Sequence, residues 1–326
     1  MLLQAQGVAS GPMSASAPTH IRPRAVLLAA ACLLGADPAT AQRLPWEVTV
    51  AEIEAGRLRG LAQQLSKQNV LYQLHLGHVR KSDLVETAGE IDRILQSLQE
   101  GSPSYSIPPP WTPELSERLK SVDATWGALR RIAVASPYDY IRVSREFMPA
   151  DSRRGDPLLL RYFDDLSLQL VGEVEKLLDA YHAECVKVEA EVCPTARTSG
   201  YAAMLIEQAA KEAVYIVAGI DATRNRKLLE GTIAAYQELR RENNESPFFT
   251  AALDPDRGAS ARANGELLAS LRDDWDAMQA QFVILAAGDE RNFDLPALLE
   301  IQSRMVDKVQ RLTAALVRYA SLTYGS

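Results

Sequence analysis

A stretch near residue 56 returns 144 positions later, and this correspondence constrains the fold more than any other feature of the sequence. Between residues 56 and 95 the offset holds without a gap and gives nine identities, among them Gly56/Gly200 and Lys67/Lys211. The apolar register is kept as well, with a spacing of three and four residues that is typical of one buried helix face. The sequence therefore predicts an internal duplication.

Composition favours helices as the repeated element. The chain of 326 residues is 47% hydrophobic but only 6% aromatic, whereas sheets favour aromatic and β-branched residues. A length of 326 residues accommodates two domains. We therefore expect an all-α fold, made of two tandem four-helix bundles.

Prolines, caps and apolar stripes place four helices in each repeat. Trp126 and Trp275 occupy matching positions in the third helices, and we interpret them as core residues. The predicted helices run approximately over Thr49–His78, Ser82 or Asp83 to Gly101, Thr112 to Ser136 and Leu158–Tyr181, then over Thr198–Ile220, Ala222–Asn243, Ala261–Ala287 and Leu295–Tyr324.

The N-terminus has the form of a secretory signal. Arg22 and Arg24 precede an apolar run, and Ala39-Thr40-Ala41 has the small-x-small pattern cleaved by signal peptidase. We expect residues 1–41 to be removed and the mature protein to be periplasmic or otherwise exported. Lipidation at Cys32 and an uncleaved cytosolic N-terminus are alternatives. The predicted domains are the signal 1–41, repeat 1 at 48–182, a linker at 183–197 and repeat 2 at 198–326.

Charge argues against a nucleic-acid partner, and hydropathy argues against a membrane-spanning helix. The net charge is −7 and no basic stripe is present, which argues against nucleic-acid binding. After the signal, no stretch approaches the roughly 20 apolar residues that a membrane-spanning helix requires. We therefore predict no membrane-spanning segment in the mature chain.

Two cysteines remain after the signal, Cys185 and Cys193. An even pair in an exported protein predicts a disulfide, here in the linker between the repeats. Metal binding by His182 together with these cysteines is an alternative, but a fourth ligand is missing. His75 and His78 lie three residues apart, and no third ligand completes a metal site beside them.

No nucleophile motif or glycine-rich phosphate loop occurs, so we predict that the protein is not an enzyme and needs no cofactor. Arg57 and Arg59 are the candidate ligand-binding residues. They flank Leu58, which belongs to the buried stripe, so at least one guanidinium must lie near the edge of that stripe. Arginine offers a planar fork of donors suited to an oxyanion or a carboxylate. The alternative is that both point to solvent or pair with acidic neighbours such as Glu52 and Glu54.

The stretch Ala55-Gly56-Arg57-Leu58-Arg59, followed by Leu61, Gln64, Leu65 and Lys67, resembles the first helix of PilJ/NarX-type sensor domains. These are the N-terminal modules of type IV pilus chemotaxis transducers and of nitrate/nitrite sensor kinases. The second copy is similar at Lys211-Glu212-Ala213 and at Ala218-Gly219-Ile220-Asp221.

This resemblance implies an extracytoplasmic four-helix bundle that binds a small oxyanion across a dimer interface through Arg59. Gly60 stands where the family usually has methionine, and Ala203 replaces the arginine in the second copy. A sensory accessory protein with a small oxyanion or carboxylate ligand is thus expected, with a membrane receptor or another periplasmic protein as partner. A structural or protein-interaction scaffold that has lost the ligand is the alternative.

Overall fold

Nine α-helices dominate the residues that the computed structural model describes, which are 45–135, 155–187, 193–289 and 291–324. These residues contain no strand, only an isolated bridge between Ser102 and Ile107, and the all-α prediction is confirmed. The helices are α1 (Pro45–Gln73), α2 (Lys81–Glu100), α3 (Pro113–Val134), α4 (Pro157–Lys187), α5 (Cys193–Val217), α6 (Ala222–Glu245), α7 (Pro247–Leu253), α8 (Ala259–Ala286) and α9 (Leu295–Tyr324).

Local signals explain where several helices start. Thr112 caps α3, since its side chain accepts a hydrogen bond from the Leu115 amide at 3.2 Å, and Pro113 occupies the first turn. Ser246 caps the short helix α7 in the same way, through the Phe249 amide. The sequence did not predict α7, because seven residues are too few for a helical period to emerge.

The end of α1 differs from the prediction. The helix stops at Gln73, and His75 takes a left-handed conformation with φ of 56°. The Leu76 amide then bonds back to the Leu71 carbonyl at 2.9 Å, which closes the helix with a Schellman-type turn. His75 and His78 therefore lie beyond the helix. Gly219 holds the matching left-handed position after α5.

The helices enclose two main cores. Helices α1 to α4 surround the first, which contains Leu58, Leu84, Trp126 and Phe163. Helices α5, α6, α8 and α9 surround the second, which contains Ile206 and Trp275 among others. Four helices surround each main core, while the tandem pair of four-helix bundles and the duplication stay predictions.

Helices α1 and α5 join the two groups and share the most extensive contact of any two described helices. The described residues fall within one compact unit, Arg43–Ser326. The predicted signal at 1–41, the lipidation alternative at Cys32 and the connection 136–154 lie outside the described residues. No helix among those described is long and apolar enough to cross a lipid bilayer.

Candidate functional site

The crossing of α1 and α5 places the sequence-predicted arginines. Gly56 and Gly200, the matched glycines, face each other there, and a Cβ built on Gly200 would lie 3.4 Å from the Gly56 Cα. Gly60 faces the backbone of Ala203 and Met204 one turn further along. Small residues let two helix backbones approach closely, and here this brings both first helices into direct contact.

Arg59 lies beneath this crossing and is almost completely buried, with 1% of its surface exposed. Its Nη1 donates to Glu175 Oε1 on α4 at 2.5 Å. The guanidinium carbon also lies 5.3 Å from the ring centroid of Tyr201 on α5, a distance suited to a cation–π contact. Among the described residues, Nε and Nη2 have no hydrogen-bond acceptor.

Arg57 points to a different neighbour. It donates to Glu54 on its own helix at 2.6 Å and to Glu90 on α2. Its side chain is about one third exposed. The structure therefore does not bring Arg57 and Arg59 into one site, and each guanidinium already has a carboxylate partner.

A layer of buried polar side chains seals the contact between the two helix groups. Lys67 donates to Glu207 at 2.7 Å and to Gln302 at 2.6 Å, so a lysine of α1 binds residues of α5 and α9. Lys211 of α5 donates in turn to Asp164 of α4 at 2.8 Å. Both ion pairs are nearly inaccessible to solvent, where leaving one partner uncompensated is costly.

Glu52 is the most perturbed carboxyl of this region. Burial raises its pKa to about 8, although Arg197 and Arg59 favour the charged form. His182 Nδ1 lies 3.4 Å from Glu52 Oε1, and burial lowers the pKa of this imidazole. A protonated carboxyl beside a neutral imidazole is consistent with both directions.

An elongated groove lies on the other side of the α1–α5 pair, between α1, α5 and α9. Its volume is about 470 Å³, and its walls are mostly apolar. Arg57 and Gly60 line it together with Ala203. Sequence reasoning missed the groove because its walls come from helices up to 267 residues apart in the chain.

The structure describes the side chain of one of the two predicted disulfide cysteines. Cys185 is fully buried, and its sulfur lies 3.9 Å from the Thr49 hydroxyl. The side chain of Cys193 lies outside the described residues, so the disulfide stays a prediction. No cluster of three or more potential metal ligands occurs in the part of the chain that is described.

Comparison with known proteins agrees with the resemblance of α1 to PilJ-type domains. Residues 53–140 match the family model PilJ, the N-terminal domain of type IV pili methyl-accepting chemotaxis transducers. A search of curated proteins found no match, and neither did a search of solved structures. The matched segment covers α2, α3 and most of α1, including both arginines. This part of the chain is thus similar to the helical sensory domain of chemotaxis transducers.

Proposed function

We propose that the protein is an exported, non-enzymatic sensory accessory module that binds a small oxyanion or carboxylate at Arg59. The observation that carries this is the α1–α5 crossing. It sets two matched first helices side by side within one chain, with Arg59 beneath their closest approach. The similarity of residues 53–140 to chemotaxis transducer domains supports a sensory role.

Glu175 occupies the place where an external anion would bind. Its carboxylate holds Nη1 of Arg59 and is about one third exposed to solvent. A small oxyanion can exchange with such a carboxylate, since both accept hydrogen bonds from the same guanidinium. Ala203 stands at the position that matches Arg59, so α5 supplies no second arginine at that position and we expect weak affinity, of the order of tens of micromolar or weaker.

Calorimetric titration with nitrate, nitrite and acetate tests this site. Glu175→Gln removes the competing charge and should tighten anion binding several-fold. Arg59→Ala should weaken binding by about tenfold or more, because a charge-assisted hydrogen bond contributes roughly 1.5–3 kcal/mol. Arg57→Ala should matter less, since Arg57 is held by Glu54 and Glu90.

Glu173→Gln is the matched control, because Glu173 lies on the same helix and pairs with Lys176 instead. Circular dichroism should show that each variant keeps its helices. Binding that is equal in the Arg59→Ala and wild-type proteins would exclude this site.

A second function, a structural or interaction scaffold, is favoured by one observation. The Arg59–Glu175 ion pair already neutralises the guanidinium without any ligand. For a scaffold, neither the wild-type protein nor Glu175→Gln would bind any of the three anions. Its partner would then be a membrane receptor or another periplasmic protein. The outer faces of the helices would contact that partner directly.

A further inference from the structure

We propose that the groove between α1, α5 and α9 is a second binding site, which takes a linear, uncharged amphiphile. The occupant is an unbranched hydrocarbon chain that ends in a neutral polar group such as a hydroxyl or an ester. This site is separate from Arg59, which lies on the α4 side of α1. Three features support this site: charged pairs on the opposite side of α1 and α5 that the groove side lacks, the length of the groove, and the compensation of its charges.

On the side of α1 and α5 that faces away from the groove, part of the space is filled by the Arg59–Glu175 ion pair. Its members lie on α1 and α4. The residue 144 positions after Arg59 is Ala203. Between the fourth helices the offset is 138, since the stripe Val171, Val174, Leu178 and Tyr181 of α4 returns as Val309, Leu312, Leu316 and Tyr319 of α9; the residue 138 positions after Glu175 is Thr313. Both of these smaller residues line the groove, on α5 and α9. The ion pair thus has no counterpart on the groove side, and open space remains there.

A second ion pair repeats this relation one to two helical turns away. Arg197 and Asp179 contact each other at 2.6 Å on the α4 side. The residue 144 positions before Arg197 is Ile53, and the residue 138 positions after Asp179 is Val317. Both line the groove. The four charged side chains of these two pairs are therefore replaced by uncharged ones on the groove side, three of them apolar. This replacement favours a hydrocarbon ligand over an anion.

The groove is long. Its lining on α1 runs from Val50 to Gln64, about 20 Å along the helix axis. A linear ligand can lie along this length, between α1 and α9, which contact each other directly. At one end, Lys67 bonds to Gln302 and joins the two walls.

Charges along the groove are already compensated. Arg57 is bound by two glutamates, and Glu207 is bound by Lys67 and Gln302. The other polar lining groups, Gln64, Gln310 and Thr313, are uncharged. Among the described residues that line the groove, a ligand carboxylate would therefore find no unpaired cation, whereas a hydroxyl or carbonyl can bond to the amides.

Displacement of the neutral fluorescent dye N-phenyl-1-naphthylamine by 1-decanol and by decanoate tests the proposal. Decanol should displace the dye at about one tenth of the decanoate concentration, because a carboxylate pays for lost hydration. Ala203→Leu places a larger apolar side chain in the groove and should weaken decanol binding by about tenfold or more. Thr313→Leu does the same from α9 and serves if the first variant does not fold.

Ser303→Leu is the matched control, since Ser303 is exposed on α9 and outside the groove lining. It should bind decanol as the wild-type protein does. Decanol binding that survives in folded Ala203→Leu and Thr313→Leu, or decanoate that binds as well as decanol, would overturn the proposal. Anion titrations at Arg59 are read separately, so a failure of one site is distinguishable from a failure of the other.

Discussion

Burial governs Glu52 more strongly than charge does. Two arginines favour its ionised form, yet desolvation prevails and its pKa rises from 4.5 to about 8. Arg59, a charged side chain, is likewise almost completely buried. Its position beside the apolar Leu58 predicted a guanidinium near the stripe, and the structure places it under a helix crossing. Which carboxylate it would meet was not predictable, because Glu175 lies 116 positions away.

We expect stability to fall with pH through Glu52. A carboxyl whose pKa is higher in the folded than in the unfolded protein binds more protons when folded. Its contribution is therefore complete below pH 4.5 and is lost as the pH rises to about 8. Glu52→Gln should remove up to about 1.4 kcal/mol of pH dependence per pH unit within this window.

Urea denaturation of wild type and Glu52→Gln at pH 5, 6, 7 and 8 measures this difference. The variant should gain stability relative to wild type as the pH rises. Glu86→Gln, at an exposed site on α2, should follow the wild-type protein at every pH. Parallel pH profiles for wild type and Glu52→Gln would contradict the expected burial effect. Glu212, whose pKa burial raises to about 7, contributes in the same direction in both proteins.

At the scale of helices, the sequence predicted where helices begin and end better than which helices pack against each other. Thr112 and Pro113 mark the start of α3 in the sequence, and the structure confirms them. The end of α1 was placed too late, because His75 carries a left-handed conformation that glycine adopts most readily. Gly219 takes the same conformation after α5, which ends at Val217, three residues before the predicted end at Ile220.

The connection from α4 to α5 carries the cysteine prediction. We expect Cys185 and Cys193 to be bonded in the mature protein, which would fix the end of α4 to the start of α5. Mass spectrometry after alkylation without reductant should find neither cysteine labelled. Reduction should lower the free energy of unfolding by roughly 2–3 kcal/mol, as for other short disulfide loops. Two alkylated thiols in the native protein would refute the bond.

At the scale of the whole molecule, two main cores are joined by a polar layer and by a smaller apolar cluster that contains Val70 and Val214. The helix count and the apolar stripes follow from local sequence, so the all-α class was predictable. The polar layer was not, because Lys67 and Gln302 are 235 positions apart and nothing local marks them as partners. The groove escaped prediction for the same reason, since its walls belong to three separate helices.

We expect the two cores to unfold together. Trp126 bonds to Asp92 at 2.8 Å in one core, and Trp275 stacks on Tyr236 in the other. Trp126→Ala and Trp275→Ala should each cost about 3–5 kcal/mol, as buried aromatic residues do. Because the buried ion pairs span both groups, each variant should shift one common transition in calorimetry. Two transitions, of which only one shifts, would show that the cores are independent.

Lys67 and Lys211, which hold matching positions on α1 and α5, each lie in a cluster of buried polar side chains. Gln63 is the residue 144 positions before Glu207, and Asp164 is the residue 138 positions before Gln302. The carboxylate therefore comes from α5 in the Lys67 cluster and from α4 in the Lys211 cluster. The two lysines are thus neutralised from different helices, although they hold matching positions on α1 and α5. Loss of either carboxylate would leave a buried lysine uncompensated, whichever helix carries the acid.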